Sequence, residues 1–361
     1  MFDSEKLAIL ATNYSLPVNE KMRVGIKGNA VATPLIQQLY KHTLLRGGYP
    51  ELLVDLEGIE ELFYAYANPD QIAYVSPVTR HFLEDIDGLL SIRADTNTRK
   101  LTNVPSEKIK EKKISLRPIM DVYHRHVKQG GLSIIPYPAP AYAQEAEMSL
   151  FDYEDFVEKA CFLDKEDPVK EWKKLSSMQQ RIVERLNKVK VLRLVGQDTD
   201  LTVYVKGRTW INCDGRINMP DGEVFTAPIE NSAQGYIRFS YPGIYEGKEI
   251  ENIYLAFKNG QVVEAKAEKG QELLSEIRKV EGIDRIGEIA IGTNTNITRF
   301  TKVMLFDEKM GHCIHLALGN SFQMTGGQNR SSIHWDILKD MKSGEIYADK
   351  ELIYKDGQIL I

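Results

Sequence analysis

The chain has 361 residues, of which 43% are hydrophobic and 27% charged, a globular composition at a length that predicts two domains rather than one. Its net charge of -5 argues against a nucleic-acid-binding protein, which usually carries a basic surplus. No window approaches the ~18 apolar residues of a membrane span, and residues 1–6 lack the cationic start of a signal peptide, so we expect no membrane contact and a cytoplasmic location.

The first predicted elements form a β-α-β unit over residues 22–56. An alternating strand opens the unit, Thr33 and the proline after it suit a helix N-terminus, and Gly47 with the next glycine ends the helix. A second short strand follows over 49–53. Because strands that alternate with helices indicate a parallel sheet, we expect an α/β domain here.

Further elements of this half are a strand over 88–93 and a helix over 105–129, which two glycines end. The proline-rich segment 134–142 is predicted to cross the surface in extended form. Helices are predicted over 150–163 and 168–187. Neither a Gly-x-Gly-x-x-Gly fingerprint nor a P-loop occurs, so we interpret this half as a scaffold rather than as a nucleotide-binding domain.

Short strands dominate the rest of the chain, with strands predicted over 189–195, 201–205 and 253–257. Asn259 and the following glycine lie between two β-rich runs, which is a strong signal for a hairpin turn. Asp356 and its following glycine give a second such signal near the end of the sequence.

The change of pattern predicts a domain boundary near residue 188. Residues 1–188 are expected to form an N-terminal scaffold domain of the α/β class with a parallel sheet. Residues 189–361 are expected to form a C-terminal α+β domain, mostly antiparallel, which holds the candidate metal ligands.

Two glutamates of the C-terminal half stand in short segments that contain glycines. Glu223 follows the Asp-Gly turn at Asp221, and taken alone it is most simply an exposed acid beside a turn. Glu288 lies in the apolar, strand-like run 286–292, where a buried carboxylate needs a metal or an arginine to offset its desolvation. An exposed edge position would remove that need, so both interpretations of Glu288 stay open.

Two histidines also stand among carboxylates and glycines. His315 precedes small and apolar residues that end at Gly319, as is typical where a strand meets a tight loop. His334 and Asp336 would project from the same face of a strand, so they could bind one ion or one could orient the other. Ordinary outward-facing polar residues are the simpler alternative. His312 has only a weak His-x-x-His spacing with His315, and no His-Glu-x-x-His helix occurs.

Taken together with Glu308, these segments supply three glutamates, two histidines and one aspartate. Oxygen and imidazole ligands without thiolate suit Zn, Mn or Co, and a carboxylate-rich set suits two ions rather than one. The three cysteines are widely spaced and odd in number, which is typical of reduced thiols in a cytosolic protein. A pair of ions could hydrolyse a peptide, but composition alone does not select peptides as the substrate.

The sequences of these segments, and their order along the chain, resemble those of the M29 family of metallo-aminopeptidases, the thermophilic aminopeptidase T group. The similarity lies in MPDGEVFTAP at 219–228, EIAIGTN at 288–294 and IHWD at 333–336. Weaker similarity at 13–16 and over 143–156 extends it to nearly the whole chain. The three motifs are specific in combination.

The resemblance implies a two-domain homodimer that removes N-terminal residues from peptides with a free N-terminus, by means of two divalent ions (Zn, Co or Mn). Glu288, between the ions, would be the bridging ligand or the residue that activates water. The positions that match the family's ligands are Glu223, Glu288, His315, His334 and Asp336, with Glu308 as a further match.

One position departs from the family pattern, which has a tyrosine seven residues after the histidine at His315; the residue here is Phe322. Such a tyrosine could donate a hydrogen bond to the tetrahedral oxyanion, and phenylalanine cannot. Activity could then be slow, or Ser321 could replace the donor. Alternatively, the chain is a catalytically impaired relative that acts as a dimeric binding or structural protein. Hydrolysis of another small amide or ester is a third possibility. The native metal and the preferred N-terminal residue are not specified by the sequence.

Overall fold

The computed structural model describes residues 2–361, and their contacts divide into two units. The first unit runs up to Glu171 and includes Gly215–Pro220; the second comprises Trp172–Asp214 and Asp221–Ile361. The predicted boundary near residue 188 lies just after a long helix, Pro168–Leu186. The position of the domain boundary near residue 188 therefore stays a prediction.

A four-stranded parallel sheet, in the order β2-β1-β3-β4, forms the centre of the first unit. The predicted β-α-β unit is confirmed, because β1 and β2 are parallel neighbours joined through α2. The strands are β1 Arg23–Asn29, β2 Tyr49–Asp55, β3 Gly88–Arg93 and β4 Leu132–Pro136. The helices are α1 Ser4–Leu10, α2 Thr33–Leu45, α3 Ile59–Tyr66, α4 Pro69–Ala73, α5 Pro77–Asp85, α6 Ser106–Ser115, α7 Arg117–Gln129, α8 Pro140–Glu145 and α9 Leu150–Ala160; α10 is Pro168–Leu186.

Two local predictions in this unit are wrong. The single helix expected over 105–129 is two helices, α6 and α7, which meet at Leu116. Pro118 lies in the first turn of α7, where its missing N–H is tolerated, whereas inside one continuous helix it would remove a hydrogen bond. The segment expected on the surface at 134–142 begins instead as the buried strand β4, which pairs with β3, and then enters α8.

The second unit is built mainly from antiparallel strands. Its eight-stranded sheet has the order β13-β12-β9-β6-β5-β17-β18-β19, its five-stranded sheet the order β16-β15-β14-β8-β7, and β10 pairs with β11. The strands are β5 Val191–Gly196, β6 Thr199–Tyr204, β7 Ile211–Cys213, β8 Glu223–Thr226, β9 Gln234–Arg238, β10 Gly243–Tyr245, β11 Lys248–Ile250, β12 Tyr254–Lys258, β13 Gln261–Lys266, β14 Ile286–Gly292, β15 Cys313–Gly319, β16 His334–Asp340, β17 Glu345–Ala348, β18 Glu351–Lys355 and β19 Gln358–Ile359. The helices are α11 Gln271–Ile277 and α12 Met304–Asp307.

Both predicted hairpin turns of the second unit are confirmed. Asn259 and Gly260 join β12 to β13 with φ of 52° and 77°, and Asp356 and Gly357 join β18 to β19 with φ of 50° and 82°. Two successive positive φ values are what a type I′ turn requires, and Asn-Gly and Asp-Gly adopt them at low cost. The sheets of the two units also confirm the predicted fold class, a parallel α/β part followed by a mostly antiparallel part.

The hydrophobic core of the second unit includes alternate residues of both large sheets. Leu192 and Leu201 come from the eight-stranded sheet, and Ile289, Leu316 and Ile337 come from the five-stranded one. Since side chains alternate along a strand, the residues between these positions in the five-stranded sheet project from its other face.

Within residues 2–361, every helix is too short or too polar to span a membrane.

Candidate metal centre

Alternation along four neighbouring strands places the predicted site residues on one face of the five-stranded sheet. Ile289 and Ile291 of β14 point into the core, so Glu288 projects from the opposite face. The same argument applies to the other strands of the group. The residues on this face are Glu223 of β8, Glu288 of β14, His315 of β15, and His334 and Asp336 of β16.

Glu288 lies between the two histidines of the cluster. Its Oε1 is 3.0 Å from His315 Nε2, and its Oε2 is 3.5 Å from His334 Nε2. Asp336 Oδ1 lies 3.3 Å from His334 Nε2 and 3.8 Å from His315 Nε2. Glu223 Oε2 lies 3.6 Å from His315 Nε2. Because β14 is an inner strand of the sheet and Glu288 is 4% exposed, the alternative of an exposed edge position is excluded.

Backbone carbonyls orient both imidazole rings. His315 Nδ1 is 3.1 Å from the carbonyl oxygen of Glu308, and His334 Nδ1 is 2.7 Å from that of Asn320. A carbonyl only accepts, so each Nδ1 must carry the proton, an assignment made from the hydrogen-bond network. Each Nε2 therefore points at carboxylates, and this is how metal-binding histidines are usually held.

Three groups join this cluster from nearby loops. Ligand atoms of Glu308, His315 and Asp336 all lie within 4.8 Å of one another, so the structure brings the less certain predicted residue, Glu308, to the site. Lys309 Nζ donates to Glu308 and, at 3.0 Å, to Glu223 Oε1. Asp221 Oδ1 is 3.9 Å from the same ammonium group.

Sequence reasoning missed Lys309 and Asp221 as members of the cluster. Asp221 lies two residues before Glu223, which was the one available signal for it. Lys309 is adjacent to Glu308 in an unremarkable run of charged residues, and nothing local indicates that its side chain is buried. His312 is in none of the groups of possible metal ligands found within residues 2–361.

Burial and mutual charge shift the pKa values of the cluster in opposite directions. Burial raises the pKa of Glu223 and of Glu288, although Lys309 and His315 oppose the increase. Burial tends to lower the pKa of His315, but the hydrogen bond to Glu288 and the charge of Glu223 raise it to about 10. Burial would raise the pKa of Asp336, but the charge of His334 lowers it to about 2. Protons on these groups would therefore compete with cations for the cluster.

The residues present fit divalent metal ions. Oε2 of Glu223 and Oε2 of Glu288 are buried and accept no hydrogen bond from residues 2–361. A buried carboxylate oxygen without a partner is costly, and an ion would supply that partner. Carboxylate oxygens together with imidazole Nε2 atoms are the ligand set that Zn, Mn and Co accept.

Small residues leave room in the middle of the site face. Ala317 lies in register between Glu288 on one side and Asp336 on the other, and Ala290 lies beside His315. Gly287 forms a β-bulge in β14, where an added Cβ would clash with the backbone oxygen of Asn320. The two alanines place only methyl groups between the charged side chains of the cluster.

The side-chain amide of Gln179 on α10 forms hydrogen bonds with the backbone of β7 and β8. Its Nε2 donates to the carbonyl oxygens of Glu223 and Cys213, both at 2.9 Å. Its Oε1 accepts a hydrogen bond of 3.0 Å from Thr293 Oγ1, just beyond β14. Gln179 is fully buried, so it fixes the backbone that carries Glu223.

The cluster is open to solvent at the edge formed by β16. The side chains of His334 and Asp336 are 24% and 13% exposed, whereas that of His315 is 1% exposed. Phe322, which is 43% exposed, lies beside this opening with its ring centroid 4.9 Å from that of His334. The hydroxyl of Ser321 is buried and has no hydrogen-bond partner within residues 2–361.

Fold and site together define a two-part α/β protein with a carboxylate–histidine cluster of the metal-ligand type on an antiparallel sheet. A family model described as thermophilic metalloprotease (M29) matches residues 3–359. The chain belongs to this M29 family of metalloproteases, which confirms the family predicted from the sequence.

Several characterised proteins are similar to the chain. Aminopeptidase AmpS of Bacillus subtilis is 31% identical over 255 residues, which are 60% of this chain and 61% of that relative's length. Aminopeptidase T of Thermus thermophilus is 28% identical over 298 residues, which are 73% of this chain and 72% of the relative. The solved structure of wild-type AmpT from Thermus thermophilus aligns with a TM-score of 0.87 at 21% identity over 99% of both chains, which shows a common fold.

Proposed function

We propose that the chain is a metal-dependent aminopeptidase that hydrolyses N-terminal residues from peptides. The observation that carries the proposal is the pair of histidines, His315 and His334. Their Nδ1 atoms bond to backbone carbonyls, and their Nε2 atoms face carboxylates whose buried Oε2 atoms accept no hydrogen bond from residues 2–361. The similarity to aminopeptidases AmpS and T supports the choice of peptides as substrates.

Two divalent ions, Zn, Co or Mn, are proposed to bind this cluster. Glu288 is the residue placed to serve both, because its two oxygens face different histidines. Bound ions would supply Lewis acidity, which acidifies water and polarises a carbonyl group. The proposed ligands are Glu223, Glu288, Glu308, His315, His334 and Asp336.

Glu288 is proposed to act either as the ligand shared by the two ions or as the base that accepts the proton of the attacking water. Burial raises the pKa of its carboxyl group, whereas a neighbouring cation would lower it, so the base role requires a carboxylate oxygen that is not bound to an ion. The proton held there would then be available to the leaving amine, whose nitrogen must be protonated before it departs. This role requires an oxygen of Glu288 to face the substrate side of the cluster.

The open edge at His334 and Phe322 is the proposed entrance for the peptide. A free α-amino group carries a positive charge, which the partly exposed carboxylate of Asp336 would attract. The aromatic ring of Phe322 would pack against the first side chain of the peptide. From the family resemblance we also propose a homodimer and a cytoplasmic location; mass measured by light scattering during gel filtration tests the former.

Release of free amino acids from matched peptides tests the proposed function. Unblocked and N-acetylated versions of one peptide are incubated with protein that has been treated with a chelator and then supplied with Zn, Mn or Co. We expect cleavage of the unblocked peptide alone, restored by added metal. Cleavage of the acetylated peptide to the same extent would contradict an aminopeptidase.

A second candidate function is favoured by Phe322, which lies 4.9 Å from His334 but has no hydroxyl to donate to an oxyanion. In this alternative the chain binds metal and acts as a dimeric binding or structural protein. Folded, metal-loaded protein that cleaves none of the peptides would support it.

A further inference from the structure

Lys309 is a fully buried cation inside the cluster, with 0% of its surface exposed. It follows Glu308, the C-cap of the short helix α12. Its ammonium group contacts three carboxylates: those of Glu308, Glu223 at 3.0 Å and Asp221 at 3.9 Å. An ammonium group this far from water is stable only because these carboxylates surround it.

The contact with Lys309 determines which oxygen of Glu223 is left for other partners. Oε1 accepts the hydrogen bond from Lys309, whereas Oε2 accepts none from the described residues and lies 3.6 Å from His315 Nε2. The ammonium group thus holds the Glu223 carboxylate with one oxygen turned towards the histidines. Lys309 is in this sense a positioning residue for a proposed metal ligand.

The sum of charges in the cluster is consistent with a positive charge at Lys309. Five carboxylates form the cluster, and two divalent ions would leave one negative charge that the ammonium group cancels. The five are Asp221, Glu223, Glu288, Glu308 and Asp336. The groups around the ammonium are themselves metal ligands by type, because Cys213, Asp221 and Glu223 offer ligand atoms within 4.8 Å of one another.

We propose that the Lys309 ammonium group occupies a third cation position of the centre, and so excludes a metal ion from the side of the cluster formed by Asp221, Glu223 and Glu308. The inference rests on the proposed function, in which two ions bind on the histidine side. A chain that lacks this ammonium group but keeps its space is expected to bind one more divalent ion, held by carboxylates and the Cys213 thiolate.

The test compares the number of ions bound by wild-type protein, Lys309→Ala and Lys309→Met. Each is treated with a chelator, titrated with Mn²⁺ or Zn²⁺ in a calorimeter, and analysed for metal after gel filtration. Lys309→Ala leaves space and is expected to bind one ion more than wild type. Lys309→Met fills the same volume with an apolar side chain and is expected to gain none. A lysine with only a structural role would change stability without changing the ion count.

A matching amine gives a second measurement. Lys309→Ala removes the equivalent of n-propylammonium, so millimolar n-propylammonium is expected to displace the additional ion and restore the wild-type count. If the variant does not fold in chelator, divalent ions or n-propylammonium should restore folding, measured by circular dichroism. Folded Lys309→Ala with the wild-type ion count would overturn the inference, as would misfolded protein that neither cation rescues.

Failure of the inference is distinguishable from failure of the proposed function. Wild-type protein that binds no ion and cleaves no peptide would contradict the proposed function itself. Wild-type protein that binds ions and cleaves unblocked peptides, while Lys309→Ala gains no ion, would contradict only the role of Lys309.

Discussion

Replacing Glu288 by glutamine removes one negative charge from the centre of the cluster and preserves its shape. The carboxylate lies between His315 and His334, with oxygens 3.0 and 3.5 Å from their Nε2 atoms. A unit charge pair separated by ~4 Å contributes about 4 kcal/mol at an effective dielectric constant of 20. Taking this as the smallest loss for a divalent ion, we expect the affinity to fall by about a thousandfold.

The assay for Glu288→Gln measures affinity and turnover separately. Chelator-treated protein is titrated with Mn²⁺ in a calorimeter, and peptide cleavage is followed at metal concentrations that saturate the wild type and at concentrations a thousandfold higher. We expect no cleavage even where metal is bound, because glutamine cannot accept the proton of water. Circular dichroism should show an unchanged fold, since the amide occupies the same volume.

Glu264→Gln is the matched control for this substitution. Glu264 is also a strand glutamate, on β13, but its side chain is 44% exposed and pairs with Lys266 at the surface. It should leave metal affinity and cleavage unchanged. Glu288→Gln protein that binds Mn²⁺ and cleaves peptide within about twofold of the wild type would refute the reasoning for Glu288.

Three further predictions concern the site face and its protons. Phe322→Tyr should raise turnover by up to about a hundredfold, the typical effect of one oxyanion donor; an unchanged or lower rate in steady-state kinetics would count against this account. Ala317→Leu should fill the space between two carboxylates and weaken Mn²⁺ binding by about a hundredfold, since overpacking typically costs 1–3 kcal/mol; calorimetry showing wild-type affinity would contradict it. Neighbouring carboxylates outweigh the effect of burial and raise the pKa values of His315 and His334 to about 10. Both rings should therefore be protonated at pH 7 in chelator-treated protein. A metal ion that binds must displace those two protons. Loading at pH 7 should release about two protons per chain, with affinity rising as pH increases towards the raised pKa values; a pH indicator in weak buffer that records no release would show this to be wrong.

Local sequence signals predict the structure correctly where a single strand or turn fixes the relative positions of the residues. His334 and Asp336 share a face because alternation within a single strand requires it. Asn259 and Gly260 form a turn because the positive φ values of that turn favour these residues. In both cases the physical cause lies within a few residues of the feature itself.

The missed features depend on contacts that are distant along the chain. Strand β4 was not expected because its prolines suggest an exposed segment, yet pairing with β3 satisfies the backbone of this short run. Lys309 meets Glu223 from 86 positions away, and nothing in the sequence around Lys309 distinguishes it from a surface lysine. The break at Leu116 was recognisable, since Pro118 disfavours a continuous helix.

The spread of the cluster along the chain has a consequence for the order of events during synthesis. Glu223 and Asp336 come from β8 and β16, and the sheet that joins them includes β14 and β15. A ribosome-bound chain that has not yet released Asp336 lacks both the edge strand and its two proposed ligands, His334 and Asp336. If the proposed ligands hold the metal, tight capture requires that β16 has been made, and a premature stop before residue 334 should yield a product that zinc or manganese cannot rescue.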